Sequence, residues 1–131
     1  MQSLLDAPSP ATLTMYGEDR EAISSPVWFQ FDGEAFEVVM ALADHKLELL
    51  RRDQRCTLLI FETAPPFRGV RVRGRAELVP DEGSRTRLAI ATRYLGAEGG
   101  RQYADPDRRP PGYVVRLRGE FAKAWDLGAS L

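Results

Sequence analysis

The chain has 131 residues, 44% hydrophobic and 28% charged, which suits one domain over 1–131 with a real core and excludes two full domains. Its formal net charge is −1, so no global field favours nucleic acid or an anionic membrane. One cysteine, Cys56, and one histidine, His45, exclude a disulfide scaffold, a cysteine zinc centre and a two-histidine metal motif.

Met1 to Ala7 has room for one helical turn before Pro8 and Pro10 stop it. No basic stretch leads into an apolar core there, and no apolar run approaches the roughly 20 residues of a membrane span, so the expectation is a soluble cytoplasmic protein. Ala11–Tyr16 is rich in strand formers, and Gly17 to Asp19 supplies a turn. Ala22–Phe31 reads as a second strand, with Pro26 placing that end at an edge, bulge or bend. Asp32-Gly33 is a hairpin signal, and Ala35–Leu42 is the third strand. Asp44 can cap a short helix over His45–Arg52.

Arg55–Glu62 is the fourth strand. It is apolar on both faces, with Cys56, Leu58 and Ile60 on one and Leu59 and Phe61 on the other, which calls for a second covering layer or a partner subunit. After a stiff Ala64–Phe67 loop, Gly69–Val79 alternates Val70, Val72, Ala76 and Leu78 with Arg71, Arg73, Arg75 and Glu77. Gly74 interrupts the inner face, as a tight barrel bend requires. A helix opens at Asp81-Glu82 and runs to about Leu95, ending at Gly96. Glu98–Pro111 reads as a polar loop, Tyr113–Arg118 as a strand and Glu120–Leu127 as a last one. Hairpin-linked strands, Gly turns and two-faced strands favour a small closed barrel over an open sheet.

The sequence carries no G-x-S-x-G turn, no P-loop and no H-E-x-x-H. Asp81 and Glu82 sit at a helix start, where the dipole explains them. The enzymatic route left open is chemistry done by a cofactor, with the protein supplying position and electrostatics.

The segments SPVWFQFDG, HKLELLRRD, RCTLLIF, PPFRGVRVRGRAEL, YLG and AWDL, in that order and spacing, resemble the split β-barrel flavin and deazaflavin reductases. These are the pyridoxamine 5'-phosphate oxidase-like proteins, and the resemblance is to their coenzyme F420-dependent branch, from about Ala11 to Leu127. It implies a mainly β fold, a six-stranded antiparallel split β-barrel of the FMN-binding kind, homodimeric, with two cofactor sites between the subunits. It further implies F420-dependent hydride transfer to a small planar substrate, enone- or imine-like, with FMN as the alternative cofactor. A non-catalytic flavin- or tetrapyrrole-binding role also stays open. The cofactor contacts it implies are Lys46 for the phosphate, Ser25, Pro26, Val27 and Trp28 along the ring, Met40 and Ala41, and Phe67 closing the pocket from the partner. No catalytic acid, no metal, no nucleic acid and no membrane partner are expected.

The sequence departs from the family pattern at Met40 and Asp44, where a hydroxyl residue and a Ser or Arg are usual, and at Leu49, where Asn is usual. An Asp beside a phosphate repels it unless a neighbour neutralises the charge. The stripe of Arg71, Arg73 and Arg75 reads as the wet face of its strand, with electrostatic guidance of an anionic ligand as the functional alternative. Trp28 reads equally as a stacking platform or a core aromatic. Tyr94, Tyr103 and Tyr113 read as packing residues within reach of a pocket, and His45 as an exposed residue at a helix start.

Overall fold

Period-two alternation becomes strand wherever this sequence carries it. In the computed structural model, which describes residues 2–128, helix α1 (Gln2–Asp6) precedes β1 (Ala11–Tyr16), β2 (Ala22–Val27), β3 (Gln30–Phe31) and β4 (Phe36–Met40). Helix α2 (His45–Arg52) leads to β5 (Arg55–Phe61) and β6 (Gly69–Pro80), and helix α3 (Arg85–Tyr103) to β7 (Tyr113–Leu117) and β8 (Phe121–Trp125). The strands form one curled antiparallel sheet in the order β2-β1-β5-β6-β7-β4-β3, with β8 also pairing β6.

The described residues thus form eight strands, not the six that the resemblance implies, for two physical reasons. The strand predicted over Ala22–Phe31 breaks at Trp28 and Phe29. Its first part pairs with β1 and its second with β4. Since β2 and β3 are the outer strands of the order, this corner carries the chain from one sheet edge to the other and curls the sheet into a half-barrel.

The second reason lies along β6, where β7 pairs with Ala76–Pro80 and β8 with Gly69–Arg73. The registers Leu117↔Ala76 and Phe121↔Arg73 set Arg118, Gly119 and Glu120 against only Gly74 and Arg75, which is a β-bulge in an otherwise continuous strand. Gly74 is needed opposite it, because a Cβ there would lie 2.7 Å from the Arg118 carbonyl oxygen.

Inside the curl, Leu13 and Met15 of β1, Leu58 and Ile60 of β5 and Val72 of β6 pack with Phe29, Met40, Leu47 and Leu50. Each such buried side chain contributes roughly 1.5–3 kcal/mol. On the other face of β5, Leu59 and Phe61 stay half-exposed. Trp125 of β8 lies over Gly69, where any side chain would collide with the indole, and this contact pins the last strand.

Helix α3 departs from expectation at both ends. A 3-10 turn (Glu82–Ser84) precedes it, and Asp81, predicted to open the helix, caps it from outside by accepting the amides of Thr86 at 2.9 Å and Arg87 at 3.0 Å. At Gly96 (φ +82°, ψ 175°) the helix breaks as predicted, in a conformation essentially reserved for glycine. The chain then resumes helix to Tyr103 instead of the expected polar loop. Gly99 and Gly100 depress helix propensity there, and packing supplies what propensity lacks: Gly100 fits so closely to Thr92 that a Cβ would lie 2.7 Å from its Cα. No helix among the described residues is long and apolar enough to cross a membrane.

Candidate functional site

The corner at Trp28 and Phe29 has left both strand ladders, so its backbone polar groups need other partners. Helix α3 supplies those of Phe29. The Phe29 amide donates to the Tyr94 hydroxyl at 3.3 Å, and Arg93 Nε donates to the Phe29 carbonyl at 3.0 Å. The same guanidinium donates to the carbonyls of Leu5 at 2.8 Å, Asp6 at 2.9 Å and Ala7 at 2.5 Å. It thereby satisfies the orphan acceptors at the end of α1. Phe29 is fully buried in the core. Trp28 lines a cavity instead, stacked on Tyr94 (centroids 5.0 Å, planes 10° apart) and tilted against Tyr103 (5.1 Å, 45°).

That cavity measures about 860 Å³, within the usual range for a cofactor or small-molecule site. Pro10, Pro26, Val27, Trp28, Tyr94 and Tyr103 form its apolar and aromatic wall, and the end of β4, from Val38 to Ala41, crosses it. Asp44, Lys46, Arg87, Arg108 and Arg109 are the charged residues that line it. Four cations therefore face one carboxylate.

Asp44 has two tasks. Its side chain accepts the Lys46 amide at 2.9 Å as the α2 N-cap, as the sequence predicts. It also pairs with the Lys46 ammonium at 3.0 Å, so the lysine expected to meet a phosphate already has a counter-ion. Arg87 differs. It is 6% exposed, its Nη1 donates to the carbonyls of Pro110 at 2.8 Å and Arg109 at 3.4 Å, and no carboxylate among the described residues pairs with it. Arg109 lies over the Tyr103 ring, 4.1 Å from its centroid, and donates to the Tyr103 carbonyl at 2.9 Å. Burial pushes the Tyr94 phenol above its ordinary pKa, so it stays protonated and donates to the Ser9 carbonyl at 3.1 Å.

Of the residues expected at the site, Pro26, Val27, Trp28, Met40, Ala41 and Lys46 line the cavity. Ser25 and Phe67 do not. Ser25 stands in β2 opposite Leu13. Phe67 follows the two prolines of the β5–β6 turn at φ +56°, its amide donating to Ala64. Trp28, read equally as platform or packing residue, lines the cavity wall while stacked on protein aromatics. His45 is exposed and outside the cavity.

Sequence reasoning missed Arg87, Arg108 and Arg109. The signal for Arg87 was present: it shares one helical stripe with the buried Ile90 and Ala91, and a charge on an apolar stripe asks for a partner. For Arg108 and Arg109 no local signal exists, because a loop arginine reads the same whether it faces a cavity or water.

The residues present suit a planar cofactor with an anionic arm, since apolar, aromatic and cationic side chains line one cavity. Three solved structures share the fold. The conserved hypothetical protein Rv2991 from Mycobacterium tuberculosis is 23% identical with a TM-score of 0.81, over 98% of this chain and 84% of that one. An F420 reductase is 23% identical with a TM-score of 0.77, over 93% and 94% of the two chains. An FAD-binding protein from Mesorhizobium loti is 18% identical with a TM-score of 0.67, over 94% and 87%. At these identities the likeness is one of fold. None of the curated proteins matches the sequence. The family model for pyridoxamine 5'-phosphate oxidase, however, matches residues 1–126. With that match spanning nearly the whole sequence, and the same curled sheet in its structural relatives, this chain belongs to the pyridoxamine 5'-phosphate oxidase family.

Proposed function

We propose that this protein is a coenzyme F420-dependent oxidoreductase acting on a small planar organic substrate, enone- or imine-like. The observation that carries the reading is the cavity, whose aromatic lining suits a flat ring and whose cations suit a phosphate-bearing arm. Fold similarity to an F420 reductase supports the deazaflavin, and similarity to an FAD-binding protein keeps flavins, FMN among them, in the same class.

When bound, the reduced cofactor supplies the hydride. The chain's own residues supply place and surroundings. Pro26, Val27 and Trp28 flank the ring and exclude water from it. Met40 and Ala41 line the same cavity. The Lys46 ammonium meets the arm. Both hydrogen-bonding roles of the Tyr94 hydroxyl are taken by Ser9 and Phe29, so it is not available as an acid. Solvent delivers the proton past the exposed rim at Ala41 and Arg108.

The reading includes a homodimer, in which Phe67 of one subunit closes the cavity of the other. Its support is the half-exposed Leu59 and Phe61 on the outer face of β5 and the 63% exposed Phe121 on β8, apolar surface that a second copy would cover.

The test is turnover. Purified protein is mixed with reduced deazaflavin and a panel of enones and imines, and oxidation of the cofactor is followed by absorbance. The expected result is saturable oxidation with at least one substrate. Tight FMN binding with no response to the deazaflavin would move the assignment to an FMN oxidoreductase. Binding without turnover across the panel would leave a carrier.

A further inference from the structure

We infer that the cavity holds a second oxyanion seat, centred on Arg87 and distinct from Lys46, which takes a phosphate or carboxylate group. The inference deepens the cofactor reading above and rests on it only for the identity of the molecule bearing the anion. Three observations carry it. Arg87 is 6% exposed yet lines the cavity, and the partners of its guanidinium are two neutral carbonyls. A buried cation without a counter-charge is costly, and a ligand anion removes that cost.

Second, Arg108 and Arg109 line the same cavity and are likewise unpaired with any carboxylate among the described residues. Arg109 is held in place by its stack on Tyr103 and its bond to the Tyr103 carbonyl, so it comes preorganised. Third, Lys46 is already neutralised by Asp44 at 3.0 Å, which leaves the arginines as the uncompensated charge. The seat lies close to the proposed arm: a side chain at Gly112 would meet both the Met40 carbonyl and the Arg87 guanidinium. Guanidinium forks match the oxygen pairs of phosphate and carboxylate.

The test uses inorganic phosphate as probe, read by calorimetry against chloride at equal ionic strength, so activity is not the readout. Wild type is expected to bind phosphate saturably. Arg87→Gln is expected to weaken it at least about tenfold, the loss of a charge-assisted bond, while Lys46→Gln changes it less than about threefold. FMN against riboflavin, which lacks the phosphate, separates the sources. If FMN expels phosphate and outbinds riboflavin in an Arg87-dependent way, the seat holds the cofactor arm. If phosphate or benzoate still binds the FMN-loaded protein, the seat serves a second, anionic molecule.

Phosphate binding that needs Arg87 in a protein that takes no flavin would sink the cofactor reading and keep the seat. Flavin binding in a protein that takes up no phosphate, with or without flavin present, would do the reverse. Should Arg87→Gln not fold, Arg109→Gln takes its place. Phosphate affinity unchanged in that variant and lost in Lys46→Gln overturns the inference, as does a wild type that does not distinguish phosphate from chloride.

Discussion

Replacing Asp44 by Asn separates its two tasks. Asn caps a helix about as well as Asp, so the bond to the Lys46 amide survives and stability should change by less than about 0.5 kcal/mol. The ion pair with Lys46 does not survive. A phosphate approaching this end of the cavity in wild type meets a lysine and an aspartate 3.0 Å apart, whose fields largely cancel. Both side chains are about one-quarter exposed, so water screens them. At an effective dielectric of about 40–80, one charge acting on another from about 4 Å is worth roughly 1–2 kcal/mol. Removing the carboxylate should therefore tighten a phosphate-bearing cofactor by roughly tenfold. Fluorescence titrations with FMN and riboflavin, at low and high salt, measure this. FMN should gain, riboflavin should not, and the gain should shrink as salt rises. Asp44→Ala serves as the control: it frees the lysine in the same way but loses the cap, at about 0.5–2 kcal/mol of stability. An FMN affinity that stays level or drops in Asp44→Asn, in a protein as stable as wild type, would refute the placing of the arm at this end.

Three other consequences can be checked separately. Gly112→Ala sets a methyl group against the Met40 carbonyl and the Arg87 guanidinium. Thermal unfolding should show a loss of about 1–3 kcal/mol, and cofactor affinity should fall with it because both displaced residues line the cavity. Arg93→Met removes the side-chain donor to the carbonyls of Phe29, Leu5 and Asp6, while the Ala7 carbonyl keeps the Ser9 amide. Denaturant titration should report roughly 2–4 kcal/mol lost, and exchange of the α1 amides should quicken. Burial pushes the Cys56 thiol from 9.0 up to about 12, so the native protein should not react with a disulfide reagent at pH 8. The sign of the linkage follows: the folded thiol holds its proton where the unfolded one loses it, so stability should decline as pH rises from 9 towards 12. Rapid labelling of the folded protein at pH 8 would contradict the buried placement.

The strands most legible in the sequence were those whose partners leave one face dry. β1, β5 and the alternating β6 stand within a residue or so of where their residues place them, and α2 begins at its capping aspartate. The corner at Trp28 and Phe29 was hidden because both residues favour strand. What breaks the strand is tertiary: Arg93 and Tyr94, some 65 positions away, satisfy the backbone that leaves the ladder. The second half of α3 was hidden for the opposite reason. Its glycines read as loop, and their smallness is what lets it pack on Thr92.

Of the residues that line the cavity, Pro26, Val27, Trp28 and Lys46 were singled out because the resemblance places them on one strand and one helix start. The arginines were not, since they come from the first turn of α3 and the loop before β7, which only the fold brings together. Leu59 and Phe61 called for a covering layer, and the structure leaves both partly exposed on the outer face of β5.

The central claim is that the cavity between the Trp28 corner and the end of β4 binds a planar redox cofactor. Its most direct test is an equilibrium titration of the purified protein with oxidised deazaflavin and with FMN, following both ligand fluorescence and quenching of the protein's tryptophan emission. The account predicts saturation at one cofactor per chain, with quenching that is largely lost in Trp28→Phe. Failure of both ligands to bind saturably, or binding whose quenching survives intact in Trp28→Phe, would contradict it.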